Sequence, residues 1–167
     1  QIHGIENLVR MEVRQADGDG VSNVTLRDLI RTSLRMRPDR IIVGEVRGEE
    51  ALDMIQSMNT GHDGSLSTGH ANSPQDMLSR LETMALFASD IPIQAIRKQI
   101  ASSIDIIVQL ERLRDRSRRV TAITEVLDCT EDAYILNPIF EFHEQDNLVM
   151  ENSSYGDIPE RVVGQLE

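Results

Sequence analysis

The stretch 34-LRMRPDRIIVGEVRGEEA-51 places a short apolar run between a proline turn and a glycine. Residues 40–43 are too few for a helix, so they predict a strand buried on both faces, as in parallel sheets. Directly after Gly44 comes an isolated carboxylate, Glu45, with Arg47 two residues further on. Because ligands bind at the carboxyl ends of parallel strands, this pattern marks Glu45 as a candidate functional residue.

The surrounding sequence predicts that strands and helices alternate. Apolar residues at helical spacing predict helices that begin near Thr25, Glu49, Ser73 and Pro92. Strands are predicted at residues 9–13, 40–43, 65–67, 104–110, 119–127 and 133–136, the last interrupted by Asn137-Pro138. This order predicts an α/β fold, with a largely parallel sheet covered by helices and then a small antiparallel sheet. We expect one domain over residues 1–142 and a polar tail over 143–167.

Composition excludes several classes of protein. The 167 residues are 40% hydrophobic, which is typical of a globular domain, and no apolar run is long enough to span a bilayer. A net charge of −11 and an aromatic content of 3% argue against general nucleic-acid binding. The single cysteine, Cys129, suits a reducing cytoplasm. The arginine-rich segment 112–119 is either a solvated hairpin turn or a site for an anionic partner or membrane surface.

We expect no metal site formed by this chain alone. Residues 15–23 resemble half of a calcium loop, but the glutamate that should close it is missing. His62 and His70 lack further zinc ligands at a familiar spacing.

A second polar corner, Thr68 to Asn72, follows the predicted strand of small residues. A carboxylate fixed at a strand end, such as Glu45, can orient and polarise a water molecule, which is much of what phosphoryl transfer requires. A nearby arginine can neutralise phosphate charge, and His70 at the adjacent strand end can respond to a γ-phosphate. Taken singly, Glu45 could also be a strand-end acid in an ordinary surface ion pair. His70 taken singly could be a turn histidine whose hydrogen bonds are satisfied locally.

Together the two corners resemble motifs of the ATPases of type II and type IV secretion and of Tad/Flp pilus assembly, most of all the Tad/Flp branch. Residues 34–48 resemble the family's Walker B segment. Residues 58–73, MNTGHDGSLSTGHANS, resemble its His box. Residues 117–128, SRRVTAITEVLD, are similar to the strand that follows in the Tad branch. The resemblance covers roughly residues 5–142.

This resemblance implies the C-terminal portion of a RecA-like P-loop ATPase fold. It implies a cytoplasmic homohexamer peripheral to the inner membrane, which uses ATP and Mg²⁺, contacts an inner-membrane platform protein, and drives pilus assembly or protein export. Glu45 matches the Walker B glutamate, and His70 matches the His-box histidine near the γ-phosphate. Arg47 follows the Walker B glutamate as in the family. Arg35 and Arg37 are candidates for phosphate contact or for work at a subunit boundary.

Two departures from the family pattern stand out. Gly69 precedes the histidine where the family usually has threonine or a β-branched residue. The pattern G-x-x-x-x-G-K-[ST], which holds nucleotide phosphates, is absent, and the only lysine is Lys98. We therefore expect this chain to be the C-terminal part of a secretion ATPase whose phosphate loop lies upstream of residue 1. We expect it to hydrolyse no ATP alone and to self-associate through an uncovered edge or face of its sheet.

Two alternatives stay open at this point. One is a non-enzymatic scaffold or regulatory subunit that lacks the phosphate loop. The other is a nucleic-acid motor of the same RecA-like class, against which the acidic charge argues.

Overall fold

The computed structural model describes residues 4–16 and 22–142. Within these ranges the helices are α1 (Leu26–Leu34), α2 (Glu50–Met58), α3 (Pro74–Ala88) and α4 (Ile93–Ser103). The strands are β1 (Ile42–Val43), β2 (Leu66–Ser67), β3 (Ile106–Arg112), β4 (Arg118–Cys129) and β5 (Tyr134–Glu141). Most of the calcium-like turn and the whole predicted tail lie outside the described residues.

β1 and β2 lie side by side and parallel, as predicted, and α2 forms the connection between them. The prediction that the first strand is buried on both faces is wrong. Val43 is 3% exposed, but Ile42 is 48% exposed. The core lies on the Val43 side, and in the described part of the chain nothing covers the opposite side, where Ile42 pairs with the exposed Leu66.

The helices begin at the predicted capping residues. In α1, the Thr25 hydroxyl accepts a hydrogen bond from the Asp28 amide, and the Asp28 carboxylate accepts one from the Thr25 amide, which completes a capping box. In α3, the Ser73 hydroxyl accepts a hydrogen bond from the Asp76 amide at 3.1 Å, and Pro74 occupies the first turn. These bonds satisfy backbone amides that the first helical turn otherwise leaves without partners.

Each helix buries one face in a shared core. The largest fully buried apolar side chains are Ile55, Leu78, Ile96, Ile100 and Val126. Removing such a side chain from water stabilises the fold by roughly 2 kcal/mol. Val126 belongs to β4, so the antiparallel sheet packs on the same core as the helices. None of the helices in the described ranges has the length and apolarity needed to cross a membrane.

The antiparallel sheet has the strand order β3-β4-β5, and the predicted hairpin across the arginine-rich turn is confirmed. The predicted interruption at Asn137-Pro138 is wrong, because β5 continues through Pro138, which pairs with Thr124. Proline lacks an amide donor, which an edge strand such as β5 tolerates. The register shifts between Ile123 and Thr124, beside the proline.

The strand predicted at residues 9–13 is absent. Val9 and Val13 are exposed, and the only pairing nearby is an isolated bridge between Arg14 and Val24. Alternating apolar residues form a strand only when a neighbouring strand pairs with them, and none of the described strands lies beside this segment.

Candidate active site

The two polar corners meet at the carboxyl ends of β1 and β2. Pairing between the strands continues past their ends, because the Val46 amide donates to the Thr68 carbonyl at 3.0 Å. The Thr68 hydroxyl donates to the Gly44 carbonyl at 2.5 Å. These two bonds hold the backbone on either side of Glu45 against the residues just before His70.

Glu45 lies at the centre of the cluster. Its Oε2 accepts a hydrogen bond from Arg47 Nη2 at 2.5 Å, and its Oε1 lies 3.0 Å from His70 Nε2. The side chain of Glu45 is 24% exposed, whereas those of Arg47 and His70 are 76% and 82% exposed. Oε1 itself is buried and, within the described residues, accepts no hydrogen bond of normal geometry. A carboxylate oxygen is therefore held at the strand end with spare capacity to accept a bond.

The surroundings of Glu45 keep it ionised. The hydrogen bond from Arg47 lowers the pKa of the Glu45 carboxyl, and the positive charge of Arg47 acts in the same direction against partial desolvation. The same bond raises the pKa of Arg47. An ionised carboxylate is a strong hydrogen-bond acceptor, so this site can orient a water molecule at neutral pH.

The site opens into a polar groove of about 600 Å³ along α3, which the sequence did not predict. It is lined by His70, Ala71, Asn72, Asp76, Ser79, Arg80 and Thr83. β3 contacts the same corner, because Gln109 Nε2 donates to the Ala71 carbonyl at 3.2 Å. Asp76, Ser79, Arg80 and Thr83 recur at helical spacing in α3, which is the signal in the sequence for this side of the groove.

Of the predicted site residues, the structure brings Glu45, Arg47 and His70 together. In the described residues, no hydrogen bond or ion pair joins Arg35 or Arg37 to this cluster. Arg35 caps the end of α1, and Arg37 has a positive φ of 51° in the following turn.

His62 does not join the cluster either. Its Nδ1 lies 3.0 Å from the Ser57 carbonyl. Residues 4–16 and 22–142 contain no group of three or more side chains placed to hold a metal ion.

Gly69, the departure from the family pattern, lies against Met77 of α3. A Cβ atom at Gly69 would collide with the terminal methyl of Met77, lie 2.9 Å from its sulfur and come within 4.0 Å of Val46. The glycine therefore leaves room for Met77 to pack between α3 and the end of β1. By contrast, a Cβ atom at Gly44 would meet nothing within 4 Å.

We predict that Gly69→Ala is less stable than Gly44→Ala by about 1 kcal/mol, because only the first overpacks the Met77 contact. Both changes reduce the entropy of the unfolded chain to a similar extent, so comparing them isolates the packing effect. Urea unfolding followed by circular dichroism measures the difference. Adding Met77→Ala to both variants should remove it. Equal stabilities of the two single variants would show that Met77 moves aside freely.

Comparison with known proteins gives consistent matches. The family model described as "Type II/IV secretion system protein" matches residues 3–153. The type IV secretion system protein VirB11 of Bartonella quintana is 36% identical over 126 residues, which are 72% of this chain and 33% of that protein. The conjugal transfer protein TrbB of Rhizobium radiobacter is 39% identical over 103 residues, which are 62% of this chain and 31% of that protein.

A solved structure shares the fold. The VirB11 ATPase from the Brucella suis type IV secretion system, in complex with sulphate, superimposes with a TM-score of 0.57 at 33% identity. The match covers 60% of this chain and 31% of that one. The chain thus spans about a third of the length of these relatives. It belongs to the type II/IV secretion system protein family, and its α/β fold is that of the RecA-like P-loop ATPases.

Proposed function

We propose that this chain is the C-terminal part of a secretion or pilus-assembly motor ATPase. The observation that carries the proposal is the meeting of Glu45 and His70, 3.0 Å apart, at the ends of two adjacent parallel strands. The family membership supports it, since the relatives include a protein described as an ATPase of a type IV secretion system.

In this proposal Glu45 orients the water that attacks the γ-phosphate of ATP. Its buried Oε1 offers an acceptor, and its ionised state suits that role. His70 lies beside the same oxygen and responds to the presence of the γ-phosphate. Arg47 holds Glu45 in its charged form through the 2.5 Å hydrogen bond. Arg35 and Arg37 are left for contacts across a subunit boundary, because neither lies in the cluster.

The described residues fit one side of a Mg²⁺-nucleotide site. The spare oxygen of Glu45 is suited to hold the metal ion or a water bound to it. When bound, Mg²⁺ would neutralise charge on the phosphate oxygens. The backbone amides and lysine of a phosphate loop are not encoded in these 167 residues, so other residues must supply them.

We further propose that the working form is a hexameric ring in the cytoplasm, of the Tad/Flp type, that contacts an inner-membrane platform protein. The uncovered side of β1 and β2, with Ile42 and Leu66 exposed, supports an additional packing partner. The rival proposal is a scaffold without hydrolysis, which the missing Gly-Lys pattern favours.

One experiment separates the two proposals. ATP hydrolysis is measured for the complete gene product and for the 167-residue chain. The motor proposal predicts turnover by the complete product, in a form with the mass of a hexamer, and none by the chain alone. If the complete product binds its partners in the secretion machine but never hydrolyses ATP, the scaffold proposal is correct. Turnover by the 167 residues alone would contradict the expectation that this chain is inactive by itself.

A further inference from the structure

The hairpin of β3 and β4 concentrates positive charge in an acidic chain. The whole chain carries a net charge of −11, whereas residues 112–119 contain five arginines and one acid, Asp115. The turn is ordered, because the Asp115 carboxylate accepts a hydrogen bond from the Ser117 amide at 2.8 Å. At physiological salt, exposed charges more than about 8 Å apart are largely screened. The local charge of the hairpin, rather than the net charge of the chain, therefore decides what binds there.

Three arginines of the hairpin have no acidic partner in the described part of the chain. Arg112 and Arg118 are direct cross-strand partners, an arrangement in which like charges destabilise a sheet. Arg116 lies at the turn with a positive φ of 69°. All three are exposed, and within residues 4–16 and 22–142 none of them forms an ion pair. A negatively charged partner would therefore be stabilised here.

Exposed apolar side chains share a face with two of these arginines. Side chains alternate along a strand, so Val108, Leu110 and Arg112 lie on one face of β3. Val108 and Leu110 are 48% and 66% exposed. Val120 of β4 lies opposite Leu110, and directly opposite residues share a face of the sheet. We call this set the hairpin surface, formed by Val108, Leu110, Arg112, Arg118 and Val120, together with Arg116 at the turn.

The hairpin surface lies on the outer side of the sheet. Gln109 alternates with these residues, and its Nε2 donates to the Ala71 carbonyl at 3.2 Å, so the Gln109 side of β3 faces the body of the protein. Glu111 and Arg119, which are direct cross-strand partners, belong to that same inner side. The acid of β3 is therefore directed away from the hairpin surface, which combines arginines with exposed apolar side chains.

An anionic lipid bilayer fits this combination better than other polyanions do. Arginines bind lipid phosphates, while apolar side chains beside them enter the boundary between headgroups and acyl chains. Proteins that bind single-stranded nucleic acid add aromatic side chains on which bases stack, and the hairpin surface has no aromatic member. A purely acidic peptide would bind the arginines but leave Leu110 in water.

We propose that the hairpin surface binds the surface of a bilayer that contains anionic lipids. Arg112, Arg116 and Arg118 contact the lipid phosphates, and Leu110 enters the headgroup region. The contact needs no nucleotide, so its failure would leave the proposed ATPase site untouched. It would orient the protein on a membrane, because the hairpin and not the acidic remainder of the chain meets the lipid.

Sedimentation of the 167-residue chain with lipid vesicles tests the contact. We expect binding to vesicles that contain phosphatidylglycerol and none to vesicles of phosphatidylcholine alone. R112Q/R118Q should weaken that binding by about tenfold or more, at roughly fivefold for each arginine near an anionic surface. This variant also removes a like-charge contact, so the hairpin should stay folded. R35Q/R37Q removes the same charge from exposed arginines elsewhere, and as the matched control its binding should change by less than about twofold.

The apolar part of the surface has its own pair of variants. L110S should weaken vesicle binding by about threefold to tenfold, since this side chain would no longer bury apolar surface among the lipids. L127S, at a leucine of β4 that is 49% exposed, is the control and should bind as the unmodified chain does. Equal vesicle binding by R112Q/R118Q and R35Q/R37Q, or no vesicle binding by the unmodified chain, would overturn the proposal. So would normal binding by L110S, because the hairpin would then recognise negative charge alone and not a bilayer.

Discussion

Replacing Glu45 with glutamine is expected to lower ATP hydrolysis by the complete gene product by about 100-fold or more. Glutamine keeps the size of the side chain but loses the charge that accepts hydrogen bonds from Arg47 and from water. In the structure that charge is strongly supported, because the bond from Arg47 lowers the pKa of Glu45. The loss should fall on kcat, while affinity for a fluorescent ATP analogue stays within a few fold, since Glu45 is proposed to orient water rather than to hold the base or sugar.

Glu49→Gln is the matched control. Glu49 is four residues further on, is exposed, and is paired only at 3.4 Å with Arg27 among the described residues. The substitution E49Q removes one negative charge from the same segment without changing the cluster of Glu45, Arg47 and His70, so hydrolysis should be unchanged. If E45Q hydrolyses ATP at the normal rate, Glu45 is a structural strand-end acid and the proposed site is wrong. If E49Q loses activity to the same extent, the effect is one of local folding.

Much of the fold followed from local signals in the sequence. The capping residues Thr25 and Ser73 and the apolar stripes of the helices are set by interactions within one or two turns, so they can be seen in a short window. The encounter of Glu45 and His70 was also predictable, because parallel neighbours end at the same edge of a sheet. That inference required only the correct pairing of two strands, which β1 and β2 confirm.

The wrong predictions share one cause, because each depends on which other part of the fold lies next to the segment. Ile42 is a residue type common in buried strands, but nothing covers its side of β1 in the described part of the chain. Apolar and polar residues alternate over residues 9–13 as in a strand, but none of the described strands lies beside them. Pro138 looked like an interruption, but it lies on an edge strand, where its missing amide donor is tolerated. A single sequence does not show which positions face a partner.

A buried ion pair was missed for the same reason. Arg97 Nε donates to Glu82 Oε1 at 2.7 Å, and the two side chains are only 10% and 11% exposed. They lie on different helices, α4 and α3, so no local spacing connects them. A weak signal existed, because Arg97 lies four residues after Ile93, on the apolar face of its helix.

Arg97 makes two further contacts besides its ion pair with Glu82. It also donates to the Glu131 carbonyl, and its guanidinium lies 5.8 Å from the centre of the Tyr134 ring. Through these contacts one side chain joins α3, α4 and the turn before β5. The hydrogen bond to Glu82 is the main cause of the raised pKa of Arg97, which keeps it charged at any ordinary pH.

We predict that Arg97→Met lowers the free energy of unfolding by about 3 kcal/mol, measured by urea unfolding. Methionine fills similar space, so the main cost comes from leaving the buried Glu82 without a positively charged partner. Glu82→Leu should cost a similar amount by isolating Arg97. The pair of the half-buried Arg27 and the exposed Glu49 offers a control, and Glu49→Gln should change stability by less than about 1 kcal/mol.

The double variant R97M/E82L decides between two accounts of the pair. In the first account, the attraction between Arg97 and Glu82 does no more than offset the free-energy cost of burying the two charges. In that case, removing both charges restores stability to within about 1 kcal/mol of the unmodified chain. If instead Arg97 stabilises the fold through the Glu131 carbonyl and Tyr134, the double variant stays as unstable as R97M. We expect the first result, because the carboxylate carries the shortest well-formed bond and the largest penalty when left alone, whereas the bond to the Glu131 carbonyl is only partly buried and can be replaced by water.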